Sequence, residues 1–84
     1  MALEVEEIDI TPSAGAGRVS LAHPPLNPLE VAVDPIGGPA QVLGSDFIVQ
    51  VNEIIWDDPS LTNSDIKSVL DDGYPVVLRI QYER

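Results

Sequence analysis

Cysteine is absent from this 84-residue chain. That excludes a disulfide framework and a thiolate metal site, and it fits a reducing compartment or an assembly built inside a cell. Cations are scarce: 4 Lys and Arg stand against 14 Asp and Glu, a formal net charge of −10. A surface of that sign repels phosphates, which argues against direct nucleic-acid binding. It keeps free copies soluble and apart, and it equally suits docking on a basic platform. Aromatic residues are few, with one Phe, one Trp and two Tyr. No apolar run approaches the ~20 residues that a membrane helix needs. The opening stretch, MALEVEEID, is acidic and alternating with no basic n-region, so no signal peptide is expected.

Hydrophobic residues make up 44% of the chain, too many for a disordered one. The length predicts one domain, residues 1–84. A chain this short buries only about 60–65% of its unfolded surface. Help from an oligomer or a larger assembly is therefore expected. The apolar residues fall in short alternating runs, and QVLGSDFIVQVNEIIW, residues 41–56, is the stretch around which the others arrange themselves. Gln41, Val42 and Leu43 lead into a Gly44-Ser45 turn. Phe47, Val49 and Val51 then alternate with Asp46, Ile48 and Gln50. Asn52-Glu53 breaks the run, and Ile54, Ile55 and Trp56 resume it. β-branched and aromatic residues at period two, bounded by Gly and Asn, predict strands. The only Phe and the only Trp lie here, which marks the stretch as the nucleus of a sheet core.

Leu3 to Ile10 alternates with a slip at Glu6-Glu7, which predicts a strand with a bulge there. The small-residue stretch Thr11 to Gly17 reads as a loop. Arg18 to Ala22 reads as a second short strand that could close a hairpin with the first. Prolines 24, 25 and 28 suit a crossing between sheets. Leu29 to Asp34 predicts a strand with Leu29, Val31 and Val33 on one face, and Pro35-Ile36-Gly37-Gly38-Pro39 turns the chain again. One short helix is expected at about 64–71, capped by Asn63 or Ser64 and stopped near Gly73, with Ile66, Val69 and Leu70 sharing a face. The final strand, Val76 to Tyr82, turns Val76, Leu78, Ile80 and Tyr82 inward. These elements predict a small all-β antiparallel sandwich or barrel of 6–7 short strands, with residues 27–83 as the core module and residues 1–25 as an N-terminal hairpin or arm. Its expected core is Phe47, Val49, Ile54, Trp56, Leu78, Ile80 and Tyr82.

Reacting groups are harder to find. His23, the single histidine, precedes two prolines and has no Ser or Cys partner in a nucleophile motif, so it reads as a loop residue. Asp57, Asp58 and Asp65, with Asp71 and Asp72 nearby, are the best metal candidates. Calcium takes six to eight oxygens from a tight loop, and this spacing matches no EF-hand, so turn and helix-capping duty is the favoured reading. Asp46 and Glu53 could pair as carboxylates, but acid–base work needs an apolar cleft that raises one pKa. Asp46 is expected instead to cap the Gly44-Ser45 turn. Gly37-Gly38 is not followed by a helix, so it is not a nucleotide loop. For partner contact, Tyr74 and Pro75 offer an exposed aromatic on a loop. Leu3 and Val5 offer a strand that could add to a neighbour's sheet, although the interleaved Glu residues could equally protect against such pairing.

One ordered series stands out: Asn27-Pro28, Val31-Ala32-Val33, Gly37-Gly38, Gly44-Ser45-Asp46-Phe47, Asn52-Glu53-Ile54, Trp56, Leu61, Leu70, Gly73 and Leu78-Arg79-Ile80-Gln81-Tyr82. Over residues 27–82 it resembles a small β module of bacteriophage virion proteins. That module reads as valines after Asn-Pro, G-x-D-F/Y-x-V, N-x-I/L-x-W and a closing G-D-x-L-x-I/V-x-Y strand. Here Gly73-Tyr74-Pro75 replaces the Gly-Asp, and residues 57–72 are more polar than usual. The resemblance implies a virion structural protein with no cofactor and no catalytic residue, most readily a capsid decoration (cement) protein. Such a protein would sit on the outer head shell, against the major capsid protein or other virion proteins, as a homotrimer at a symmetry axis. A neck, tail or fibre protein is the alternative within the virion. A carbohydrate-binding adhesion module is the alternative outside it, and it would need Trp56, Tyr74 and Tyr82 exposed on one face.

Overall fold

Two three-stranded antiparallel sheets carry this chain, as a computed structural model describing residues 2–61 and 64–84 shows. The elements in order are β1 (Leu3–Asp9), β2 (Arg18–Ser20), β3 (Ala32–Pro35), β4 (Ile48–Gln50), β5 (Glu53–Ile55), α1 (Asp65–Asp71) and β6 (Val77–Glu83). Single 3-10 turns fall at Thr11–Ser13 and Pro28–Glu30. One sheet has the order β1-β6-β3 and the other β2-β5-β4. Both contribute to a single core, in which Val33, Leu78, Ile80 and Tyr82 of the first meet Ile54 and the adjoining Phe47 and Trp56 of the second. Ile66 and Leu70 of α1 join them. This is a small all-β sandwich with one short helix.

β1 runs without a bulge. Its register with β6 is unbroken from Leu3↔Glu83 to Asp9↔Val77. The expected slip at Glu6-Glu7 is therefore absent, and the consequence is large. Glu4, Glu6 and Ile8 share the sheltered side with buried Ile10, while Leu3 and Val5 face outward. A carboxylate can occupy that side because it has donors there. Glu6 accepts from the Ala22 backbone N–H at 3.2 Å and from the Tyr82 hydroxyl.

β1 and β2 do not form a hairpin. β1 pairs with β6, and β2 pairs with β5 through Arg18↔Ile55, Val19↔Ile54 and Ser20↔Glu53. The loop between them carries the chain from one sheet to the other. Gly17 makes that crossing possible. Its φ is +72°, its carbonyl accepts from Trp56 and Asp57, and a Cβ there would lie 2.3 Å from that of Asp57. Only glycine fits so close an approach.

Three further expectations change. Leu29 sits in the 3-10 turn and is exposed, because Asn27 caps the Leu29 N–H at 3.0 Å and Pro28 begins a turn rather than a strand. Residues 41–43 make no ladder strand. A single parallel bridge, Leu43↔Phe47, and a knot of bonds onto Val42 take its place. The β4–β5 turn is Val51-Asn52, since Gln50 pairs with Glu53. Glu53 thus opens β5, and Val51 is 76% exposed at the tip. Asn52 ties this tip to the first half of the chain, donating from its amide to the Leu21 carbonyl and accepting from the Leu21 N–H.

α1 begins where Ser64 accepts from Lys67 N–H. The alternative cap, Asn63, lies outside the described residues. The helix ends in paired bonds from Gly73 N–H to Leu70 and from Tyr74 N–H to Val69. Gly73 stands at φ +86°, the left-handed geometry that such a helix stop requires.

Candidate functional site

The residues expected to make contact with partners lie at opposite ends of one sheet. Leu3 and Val5 are 67% and 44% exposed, and Leu3 pairs across from Glu83 at the far end of β6. Tyr74 and Pro75, both exposed, precede Val77 at the near end. About six residues of strand, roughly 20 Å, separate the two pairs. They form no common patch.

What the fold does assemble is the outer face of the β1-β6-β3 sheet. The register builds it in rows: Leu3 beside Glu83; Val5, Gln81 and Ala32; Glu7, Arg79 and Asp34; Asp9 beside Val77. Apolar Leu3, Val5 and Ala32 are exposed at one end. Arg79 stands between two carboxylates in the third row, an arrangement of opposite cross-strand charges that favours the pairing. The other three cations are engaged elsewhere: Arg84 Nε with Glu4 at 2.6 Å, Arg18 with Glu53 at 3.5 Å and Lys67 with Asp71 at 3.5 Å. With Asp9 and Glu83 added, carboxylates dominate this face.

The acidic candidates for metal binding are used in other ways. Asp58 accepts from the Ser60 N–H at 2.9 Å and from its hydroxyl at 2.6 Å. These bonds hold the Asp58 carboxyl below its ordinary value. Asp57 packs against Gly17 at the sheet crossing. Asp65 places its N–H on Asp46 Oδ1 at 3.2 Å. Among the described residues, no three His, Cys, Asp or Glu side chains converge. Asp46 and Glu53 do not pair with each other, since Glu53 faces Arg18 and Asp46 is buried at the start of α1.

Asp46 does more than cap a turn. One carboxylate oxygen accepts from Val42 N–H at 2.8 Å and the other from Asp65 N–H, while the Asp46 carbonyl accepts from the Ser64 hydroxyl at 2.7 Å. The residue clamps the 42–47 knot to the helix. Its local half was legible as an Asp near a Gly-Ser turn; its helix half depends on a contact nineteen positions away.

Tyr82 and Glu6 form a second interior polar group. The Tyr82 hydroxyl donates to Glu6 and accepts from the His23 backbone N–H at 3.2 Å. Burial, reinforced by the Glu6 hydrogen bond, pushes the phenol up to about 12. Such a phenol stays neutral and serves as a pin between β6 and the 21–26 crossing. His23 enters only through its backbone N–H.

Trp56 and Tyr82 are 1% and 2% exposed, which leaves Tyr74 as the one ring in solvent. The face of stacked aromatics needed to hold a sugar is not assembled. Phe47, Ile54, Leu78 and Ile80 are buried with them, and Val49 packs on the core partly exposed. A shallow groove of about 230 Å³ lies between the Pro35–Pro39 turn and α1, with Ile66, Val69 and Pro75 in its walls. Gln41 also lines it, and Gln41 Oε1 is buried there with no hydrogen-bond partner. The Pro- and Gly-rich sequence signals the turn but not the groove behind it.

Compared with known proteins, the chain matches no family model, no curated protein and no solved structure.

Proposed function

We propose that this protein is a bacteriophage virion structural protein, a cement protein that decorates the outer head shell and stabilises it by contact. The observation that carries this reading is the outer face of the β1-β6-β3 sheet. It is exposed at Leu3, Val5, Glu7 and Arg79, apolar at Leu3 and Val5, and acidic around Arg79. A sheet face with that make-up is a contact surface for a basic counterpart. The interior supports the same reading, because its polar groups, Asp46 and the Tyr82–Glu6 pair, hold elements together. The module-like order of residues 27–82 supplies the virion setting. Binding to the assembled shell and not to free subunits would raise particle stability by mass action. The test is mass spectrometry of purified particles together with melting of particles stripped of this protein. Hundreds of copies and a lowered melting temperature are expected. A handful of copies, or particles that melt unchanged, would refute the cement role, and a handful would point to the neck or tail.

A further inference from the structure

β1 is the outer strand of its sheet, and one row of its backbone is unused. The phase of the β1–β6 ladder follows from its ends. Ala2 and Arg84 exchange N–H···O bonds at 3.1 and 2.9 Å, and Ile10 N–H donates to Val76 at 3.0 Å. An antiparallel ladder alternates, so the even-numbered residues of β1 bond to β6. The N–H and C=O groups of Leu3, Val5 and Glu7 therefore point away from the sheet. Among the described residues, no turn, loop or side chain bonds to them. Glu4, Glu6 and Glu7 blunt this edge against acidic or like-charged strands, but they leave three donors and three acceptors within five residues.

The side chains beside the edge say what would fit. Leu3 and Val5 stand exposed on the outer face. Glu4 and Glu6 line the other face, Glu4 against Arg84 and Glu6 against neutral donors only. A second copy of the chain fits badly. Antiparallel pairing of two β1 strands about Val5 sets Glu4 of each copy opposite Glu6 of the other, and Leu3 opposite Glu7. Like charges directly opposite are destabilising, and two chains of charge −10 repel as wholes.

We propose that the β1 edge is completed by an extended strand of a partner protein in which basic and apolar residues alternate. Lys or Arg would stand opposite Glu4 and Glu6, and apolar side chains opposite Leu3 and Val5. Main-chain bonds supply the affinity and the alternating side chains the selectivity. That the partner is a shell subunit rests on the reading above; the strand chemistry rests on β1 alone.

The test uses the whole protein and a capped heptapeptide alternating Lys and Val, with an alternating Glu and Val peptide as control. Nuclear magnetic resonance titration should move the Leu3, Val5 and Glu7 amides and slow their hydrogen exchange several-fold, in an interaction that weakens with salt. The Glu peptide should do neither. Val5→Pro removes the middle donor at a position where an edge strand tolerates proline, and it should abolish the effect. Glu4→Gln leaves the backbone intact and removes a carboxylate that a peptide Lys would face, so it should weaken Lys-peptide binding several-fold at low salt and decides the matter if the proline variant misfolds. No response at the three amides, or undiminished binding by a folded Val5→Pro protein, would overturn the proposal. So would a dimer of the free protein that Val5→Pro dissolves, since the occupant would then be a second copy. Particle melting reads the cement role and leaves the peptide result standing, so the two failures are distinguishable.

Discussion

Val51 holds φ at +55° in the first position of a two-residue hairpin turn, a place that favours glycine. A β-branched residue there stores strain of about 1–3 kcal/mol, partly offset by the greater entropy that glycine loses on folding. Val51→Gly is expected to stabilise the fold by about 1 kcal/mol, raising the midpoint of thermal unfolding by about 5 °C. An unchanged or lowered midpoint would show that the turn is not strained. Gly17 is the opposite case. Gly17→Ala meets both an unfavourable φ and the Asp57 Cβ at 2.3 Å, and a loss of about 3 kcal/mol is expected in urea unfolding. The sequence flagged residues 44–45 and 52–53 as turn material; the first pair turns as expected, and the second turn falls one residue earlier, at Val51-Asn52. At the second, the alternation of Phe47, Val49 and Val51 made Val51 look like strand. Nothing local revealed that Asn52 would be drawn to Leu21, thirty-one positions earlier.

At the scale of elements, α1 is a helix of seven residues, too short to stand by itself. It is held by Ser64 at its start, the Gly73 stop at its end, and Asp46 from outside. Asp46→Ala would strand the part-buried N–H groups of Val42 and Asp65, for an expected loss of about 1–2 kcal/mol, with Asp46→Asn costing less. Hydrogen exchange should quicken first in α1 and in residues 42–47; equal quickening across β6 would mean that the clamp is not local. The helix and the final strand were legible because their signals are local: a cap, a glycine stop and a clean period of two. β1 was misread in phase. The expected slip at Glu6-Glu7 is absent because Glu6 keeps its place on the sheltered side with Tyr82 as partner, seventy-six positions away in the chain. The pairing of β1 with β6 and of β2 with β5 was illegible for the same reason, since neither depends on a turn.

For the molecule as a whole, Tyr82 links both ends of the chain to the 21–26 crossing, and its ionisation is a handle on the entire fold. The phenol titrates near 12 when folded, against 10.0 in its ordinary setting. The fold therefore favours the neutral form. That contribution is fully present below pH 10 and is lost as the pH climbs toward 12. Tyr82→Phe should flatten this alkaline decline while costing about 1–2 kcal/mol at neutral pH through its lost hydrogen bonds. An identical decline in the variant would assign the effect to other groups. The all-β sandwich was legible from the short alternating runs, and the candidate contact surface only in part. Leu3 and Val5 were named as partner residues, but their union with Arg79, Glu7 and Asp34 in one sheet face depends on strand order.

The central claim is that this protein works by contact, through the open face and edge of the β1-β6-β3 sheet. Residue-resolved hydrogen exchange of the protein, free and bound to purified phage particles, tests it most directly. Protection centred on residues 3–7 is the predicted result. Protection confined to the β2-β5-β4 sheet or to the groove beside α1, or no particle-bound protein at all, would contradict it.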